Sequence, residues 1–281
     1  MQKRFNYKAN KFLTIFAGIT LLLGSCEEVV RPPIGAGNPS TVIEAWLTDS
    51  ADRRLNFVKI TQTIAYDAPI AIPLVSGGSV RIISENDTMP FVETSPGYYQ
   101  AVDSFFRAVA YRTYRLEVRI QEQTYTATAT APPPIKIDSI VFTWREAFLN
   151  QPAGVYAQIF LRDARPNATH GWRRFSLINL QKRSNIIVIE QKEWDGKDKY
   201  TYLFPEAFFI NDFITINVYG LSAHNFQYLQ NIQQLSEKGT PAQSVPENPI
   251  SNFEPNTLGF FSVASVTSIS DTIRFSKLRA N

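Results

Sequence analysis

The chain has 281 residues, 13% aromatic and 19% charged, with a single cysteine, which excludes an intramolecular disulfide and a cysteine-based metal centre. Its formal charge of +3 is a local effect: residues 1–25 hold four of the 28 basic residues and none of the 25 acidic ones. Residues 26–281 carry 24 basic against 25 acidic residues, near −1, a balance that gives no sign of a nucleic-acid surface.

In chain order, Lys3, Arg4, Lys8 and Lys11 precede the apolar run Phe12–Leu23, which only Thr14 and Thr20 interrupt. A basic stretch followed by a short apolar one is the pattern of a secretory signal, and it falls short of the ~20 apolar residues of a spanning helix. Leu23-Gly24-Ser25-Cys26 then resembles the lipobox of bacterial lipoproteins, with small residues before the cut and a thiol to carry the diacylglyceryl group. The expectation is a signal over 1–25 and a mature chain that starts at a lipidated Cys26 and reaches the membrane through that lipid. Glu27 and Glu28 read either as a surface-export signal or as the solvated start of a tether. Pro32, Pro33, Gly35, Gly37 and Pro39 make 26–39 a loose spacer.

Short β-prone segments separated by turn residues come next: Thr41–Leu47, Asn56–Thr61, Ser79–Ile83 after Gly77-Gly78, Tyr98-Tyr99 after Pro96-Gly97, Tyr111–Ile120 and Thr124–Ala131. This spacing predicts an N-terminal immunoglobulin-like antiparallel β-sandwich over 40–131. Pro132-Pro133-Pro134 cannot enter a central strand, so 132–135 reads as a stiff linker. A second β-rich domain over 136–281 is expected to continue with strands near Ile135–Trp144, Val155–Leu161, Arg173–Leu180, Asn185–Glu190 and Phe213–Tyr219. Asp195-Gly196 supplies a hairpin signal between them. One helix is predicted near 222–238, capped by Ser222, with a neutral face rich in Asn and Gln that reads as the solvated back of a helix packed on a sheet. The fold class is therefore mainly β with one helix.

Catalytic patterns do not emerge. His170 and His224 stand far apart without a metal-ligand companion at helical or hairpin spacing, and no nucleophile elbow, zincin helix or phosphate loop occurs. The expectation is a protein without catalytic residues, metal or cofactor. Asp precedes Ser or Thr at five of eleven positions, against about one or two from composition. Four of these, at Ser50, Thr88, Ser139 and Thr272, resemble the O-glycosylation sequon of Bacteroidota secreted proteins; local turn chemistry is the other reading. Trp172, Arg173, Trp194 and Tyr200 are residue types favoured in interfaces and lie close in sequence, which makes them candidates for a partner contact, or for core.

The order of Val42-Ile-Glu-Ala-Trp-Leu-Thr48, Pro73-Leu-Val-Ser-Gly-Gly-Ser-Val80, Gly97-Tyr-Tyr99, Tyr114-Arg-Leu-Glu-Val118, Trp194-Asp-Gly-Lys197, Asn248-Pro-Ile-Ser-Asn252 and Leu258-Gly-Phe-Phe-Ser262 resembles a family. It is a Bacteroidota family of outer-membrane lipoproteins known as a domain of unknown function, often encoded beside TonB-dependent receptors. Ala110 departs from it, standing where a glycine is expected before the Tyr-x-Leu strand. The resemblance implies an outer-membrane lipoprotein acting as accessory or ligand-binding partner of a TonB-dependent receptor, with no catalytic residues to carry over. A surface structural or adhesive protein is the alternative, and a hydrolase with a site hidden in sequence is a third reading.

Overall fold

The structure, a computed structural model, describes residues 39–64, 71–85, 87–163, 170–180, 184–193, 199–237, 248–255 and 257–279, by backbone alone at 163, 170–172, 184–193, 199–200 and 236–237. Cys26, Glu27, Glu28 and Trp194 lie outside these residues, as does the Asp195-Gly196 turn signal. Among the described residues, sixteen strands and one α-helix form. Twelve of the strands form one sheet and four a second.

The first seven strands are β1 (Thr41–Thr48), β2 (Phe57–Gln62), β3 (Ser79–Ser84), β4 (Asp87–Ser95), β5 (Tyr98–Ala101), β6 (Thr113–Ile120) and β7 (Gln123–Thr130). Each sends one face inward. On β6, Tyr114, Leu116 and Val118 are buried while Arg115 and Arg119 face solvent, which is the period of two read in the sequence. The ladder runs β1-β2-β5-β4-β3-β6-β7 and is antiparallel throughout.

The remaining elements are β8 (Ile135–Arg145), β9 (Gly154–Asp163), β10 (His170–Asn179), β11 (Ser184–Glu193), β12 (Lys199–Phe208), β13 (Phe213–Gly220), α1 (Ala223–Glu237), β14 (Phe253–Glu254), β15 (Leu258–Thr272) and β16 (Leu278–Arg279). The order β12-β9-β8-β16 makes the four-stranded sheet. Its inward residues Phe142, Val155, Ile159, Leu161, Phe204 and Phe208 share a core with Phe175, Leu177, Ile214, Ile216 and Val218 of β10 and β13. Two sheets meeting through alternating apolar faces define a second β-sandwich. The chain is thus mainly β and immunoglobulin-like in architecture, with one helix, as its sequence predicts.

Three features depart from expectation. First, β15 extends over fifteen residues and joins both cores. Its leading half pairs in parallel with β1, Val42 opposite Leu258 through Thr48 opposite Ala264. Its trailing half pairs antiparallel with β13. The N-terminal sandwich is therefore completed by the C-terminal part of the chain, Phe253, Phe261 and Val263 entering its core. The free side of β15 at Phe261 is closed by a side chain. Asn252 donates from Nδ2 to the Phe261 carbonyl, and its Oδ1 accepts from the Phe261 N–H, both at 2.9 Å. Second, Ile135 begins β8 and is buried, so the extended linker covers only the three prolines. The Pro133 carbonyl accepts from the Ser265 hydroxyl at 3.1 Å, which ties that linker to β15. Third, β11 pairs with β10 whereas β12 pairs with β9 in the other sheet. The strands on either side of residues 194–198 therefore belong to different sheets.

β15 is buried from Gly259 to Ser265 because both of its faces are covered. One looks into the N-terminal core. The other belongs to a cluster of Trp46, Tyr219, Leu221, Ala264 and Phe226, the last supplied by α1. Burying a phenylalanine stabilises by ~1.5–3 kcal/mol, so Phe226 alone is a substantial part of what holds the helix down. Arg174 closes this cluster, its guanidinium 4.8 Å from the Tyr219 ring centre and 5.3 Å from that of Trp46. Where β1 ends, Asp49 takes over its pairing: Oδ1 accepts from the Val266 N–H at 2.6 Å. Partial burial raises the Asp49 pKa above the usual carboxylate value, and the backbone hydrogen bond acts against that rise.

Candidate functional site

Two surfaces stand out, one apolar and rigid, the other concave and polar. The apolar surface is the connection between β5 and β6. Phe106 and Ala108 turn into the core, Phe106 meeting Phe91 and Tyr114 edge-on with ring centres 6.4 Å apart in each pair. The backbone is pinned at several points. The Phe105 N–H donates to Asp103 Oδ1 at 2.8 Å, the Ala108 N–H to the Thr48 carbonyl at 2.9 Å, and the Val109 N–H to the Tyr114 hydroxyl at 2.7 Å. The Tyr111 N–H donates to the Ala131 carbonyl at 2.9 Å. Tyr111 is held at φ +67°, a conformation that costs a residue with a Cβ and persists only where its surroundings impose it. It adjoins Ala110, the position of the departure from the family pattern. The result is a fixed loop that shows Val102, Phe105, Val109 and Tyr111 to solvent at 57, 77, 50 and 69% exposure. An apolar crest on a pinned loop is the kind of surface that marks a contact with another molecule. It lies at the Thr48 end of β1, about 23 Å from Thr41 at ~3.3 Å per residue.

The concave surface forms between α1, the outer face of β7 and residues 250–252. Ser222 caps the helix as predicted, its hydroxyl accepting from the Asn225 N–H at 3.2 Å. His224, Gln227, Tyr228 and Asn231 then lie at i, i+3, i+4 and i+7, on one stripe of the helix. This stripe walls a cavity of about 470 Å³ whose other sides are Thr128–Thr130, Ile250–Asn252 and Phe260. Tyr228 stacks on Phe260 with ring centres 4.7 Å apart. Burial, with Glu44 nearby, pushes the Tyr228 pKa up to about 12, so its hydroxyl keeps its proton across the physiological range. Several polar groups of the wall are already engaged: Asn252 with Phe261, Ser251 with the Phe253 N–H, and Thr130 with Thr113. Among the described residues no hydrogen bond engages the side chains of His224, Gln227, Asn231 or Thr128.

The predicted site residues scatter. Arg173 is 1% exposed because it shares its face of β10 with Phe175 and Leu177, which turn into the core. The partner contact expected there therefore loses this residue. Trp172 and Tyr200 are described by backbone alone, in β10 and β12. Of the four Asp-Ser/Thr positions, Thr88 and Ser139 are exposed on strands and Thr272 is half-buried. Ser50 sits in a turn, its hydroxyl accepting from the Asp52 N–H at 3.1 Å. His170 is described by backbone alone, in β10, and among the described residues no three His, Cys, Asp or Glu side chains gather as metal ligands. No described helix is long and apolar enough to cross a membrane. The crest is the surface that sequence reasoning missed. Its signal was an eleven-residue connection, 102–112, carrying Phe105-Phe106 behind the Asp103 turn without a strand's alternation.

Residues 27–270 match the family described as a domain of unknown function, DUF4249. No curated protein matches the sequence. Among solved structures, the chicken interferon gamma receptor alpha chain is similar at 8% identity over 66% of this chain and 90% of that one, with a TM-score of 0.24. A segment of two fibronectin type-III domains from chicken tenascin is similar at 11% identity over 66% of this chain and 91% of that one, with a TM-score of 0.20.

Proposed function

The chain belongs to the DUF4249 family, matched from residue 27 to 270, and from that premise we propose that it is a lipid-anchored, non-catalytic binding protein of the outer membrane that docks on a TonB-dependent receptor. The signal pattern before Cys26 supplies the anchor. Two or three acyl chains hold a protein at a membrane where one binds only marginally, each buried methylene contributing about 0.8 kcal/mol. Glu27 and Glu28 then serve as the surface-export signal, and 26–39 as the tether. Fourteen residues span at most ~50 Å at ~3.6 Å each, so the body stays close to the membrane and its barrels.

The observation that carries the docking proposal is the crest. Val102, Phe105, Val109 and Tyr111 are exposed although their loop is tied to the core at both sides, so their exposure is not a product of slackness. They stand at the Thr48 end of β1, remote from Thr41. Confinement to one membrane raises the effective concentration of a partner, so a small contact of this kind suffices.

The test is site-specific photocrosslinking in intact cells with the probe at Phe105 and, separately, at Phe275, a comparably exposed phenylalanine remote in sequence. An adduct with a TonB-dependent receptor from Phe105, absent from Phe275 and reduced by Tyr111→Asp, supports the reading. Adducts with host or matrix proteins would favour the adhesive alternative. Free monomer from both positions overturns the proposal. Mass spectrometry of the mature N-terminus checks the anchor separately, since an unmodified Cys26 removes it whatever the crest does.

A further inference from the structure

We propose that the cavity beneath α1 is a binding site for an uncharged saccharide of about disaccharide size, a site separate from the crest. Its volume of about 470 Å³ lies within the ~300–1,000 Å³ of small-molecule sites. Among the described residues, the wall carries polar groups but no Asp, Glu, Lys or Arg. An ion drawn into such a place would lose water and touch no charged side chain of that described wall, at a cost of several kcal/mol or more. This disfavours phosphorylated ligands, and free peptides with their terminal ammonium and carboxylate groups. It leaves neutral molecules rich in hydrogen-bonding groups.

The unengaged polar groups fit hydroxyls in particular. Gln227 and Asn231 each present an amide that donates and accepts, Thr128 a hydroxyl that does both, and His224 a ring with one nitrogen of each kind when neutral. A sugar hydroxyl also donates and accepts, so each such group can pair with either partner. Tyr228 and Phe260 add the apolar part of the wall. The negative face of an aromatic ring attracts the weakly positive C–H face of a pyranose. The helical stripe fixes Gln227 and Asn231 one turn apart on a helix that Phe226 anchors from its opposite side, so the donors are preorganised and lose little freedom on binding.

The full-length lipoprotein in detergent is screened on an array of uncharged mono- to tetrasaccharides, with acidic saccharides and short peptides as comparison sets. Hits are measured by calorimetry. The expected result is binding to an uncharged saccharide that weakens at least about tenfold in Gln227→Trp, which fills the cavity from an exposed helix position. Asn231→Ala is expected to weaken it about fivefold through loss of a hydrogen-bond pair. Phe105→Asp leaves this binding unchanged, which separates it from the docking proposal. Three results overturn the inference: no uncharged saccharide binds, the bound saccharide is indifferent to Gln227→Trp while that variant retains its melting temperature, or peptides or acidic saccharides bind in its place.

Discussion

Gly259 offers a direct test of how the two ends of the chain are joined. It lies opposite Ile43 in the parallel pairing of β15 with β1, at φ +102°. A Cβ built there would stand 2.6 Å from the carbonyl carbon of Ile43 and 2.8 Å from its nitrogen, and nearer still to its carbonyl oxygen. These are backbone atoms of a central strand, which cannot rotate away as a side-chain tip can. Gly259→Ala therefore suffers two costs. Holding an L-residue at such a φ costs ~1–3 kcal/mol. Forcing packed backbone apart costs ~1–3 kcal/mol more. Together they come to about 4 kcal/mol, a large part of the ~5–15 kcal/mol that stabilises a typical domain. At a urea slope of ~3 kcal/mol/M the unfolding midpoint falls by about 1.3 M. Gly77→Ala is the control, because Gly77 also has positive φ, +78°, but nothing within 4 Å of its Cβ position. It carries the conformational cost alone, about 1 kcal/mol, and moves the midpoint by ~0.3 M. Should the two substitutions lower the midpoint equally, the close approach of β15 to Ile43 is refuted.

Two further substitutions probe the same seam. Asn252→Ala removes both hydrogen bonds to the backbone of buried Phe261 and leaves its N–H and C=O unpaired, at ~1–3 kcal/mol for each stranded group. A fall of several degrees in melting temperature is expected, and an unchanged melt would show that β15 needs no such closure. Asp49→Asn keeps an acceptor for the Val266 N–H while removing a half-buried charge. The Asp49 pKa is raised in the folded state, so the folded protein holds this proton over a window starting at the ordinary 3.8 in which the unfolded chain has lost it. The contribution of Asp49 to stability therefore falls as pH rises through that window and stays lower above it. Asp49→Asn should melt higher than the parent at pH 7 and lose that advantage below the window; denaturation curves at both pH values that superimpose would contradict this.

Much of the fold was legible because the alternation of buried and exposed residues is local. Thr41–Leu47, Ser79–Ile83 and Tyr111–Ile120 reappear as β1, β3 and β6 within two residues. Ser222 marked the helix start because a capping hydroxyl acts three residues away. β15 was not legible as a strand, since burial on both faces erases alternation and leaves Gly-Phe-Phe-Ser-Val-Ala-Ser with no polar rhythm. Its pairing with β1 was further hidden because no turn joins them; Thr41 and Thr257 meet through a 2.7 Å hydrogen bond across 216 residues. Of the two surfaces, the cavity residues were visible as an Asn- and Gln-rich helix face, which reads as solvated until β7 is seen opposite it. The crest was hidden because exposure on a loop is set by what the loop is pinned to. Here the pins are Thr48, Tyr114 and Ala131, which only the folding of β1, β6 and β7 brings to it.

The division of β15 between two cores has a bearing on how the chain comes into being. A ribosome releases residues in order, and the N-terminal sandwich lacks its closing strand until residues 258–264 have been made. Until then β1 carries an unpaired edge, and the inward faces of Ile43, Ala45 and Leu47 lack Phe261 and Val263. Contacts so distant in sequence form slowly, because the long intervening chain must first be brought to closure. Synthesis therefore passes residue 264 before the first half can lock. On the export route proposed above, that delay keeps the polypeptide pliable during its passage, and β15 serves as the latch that shuts once the journey is over.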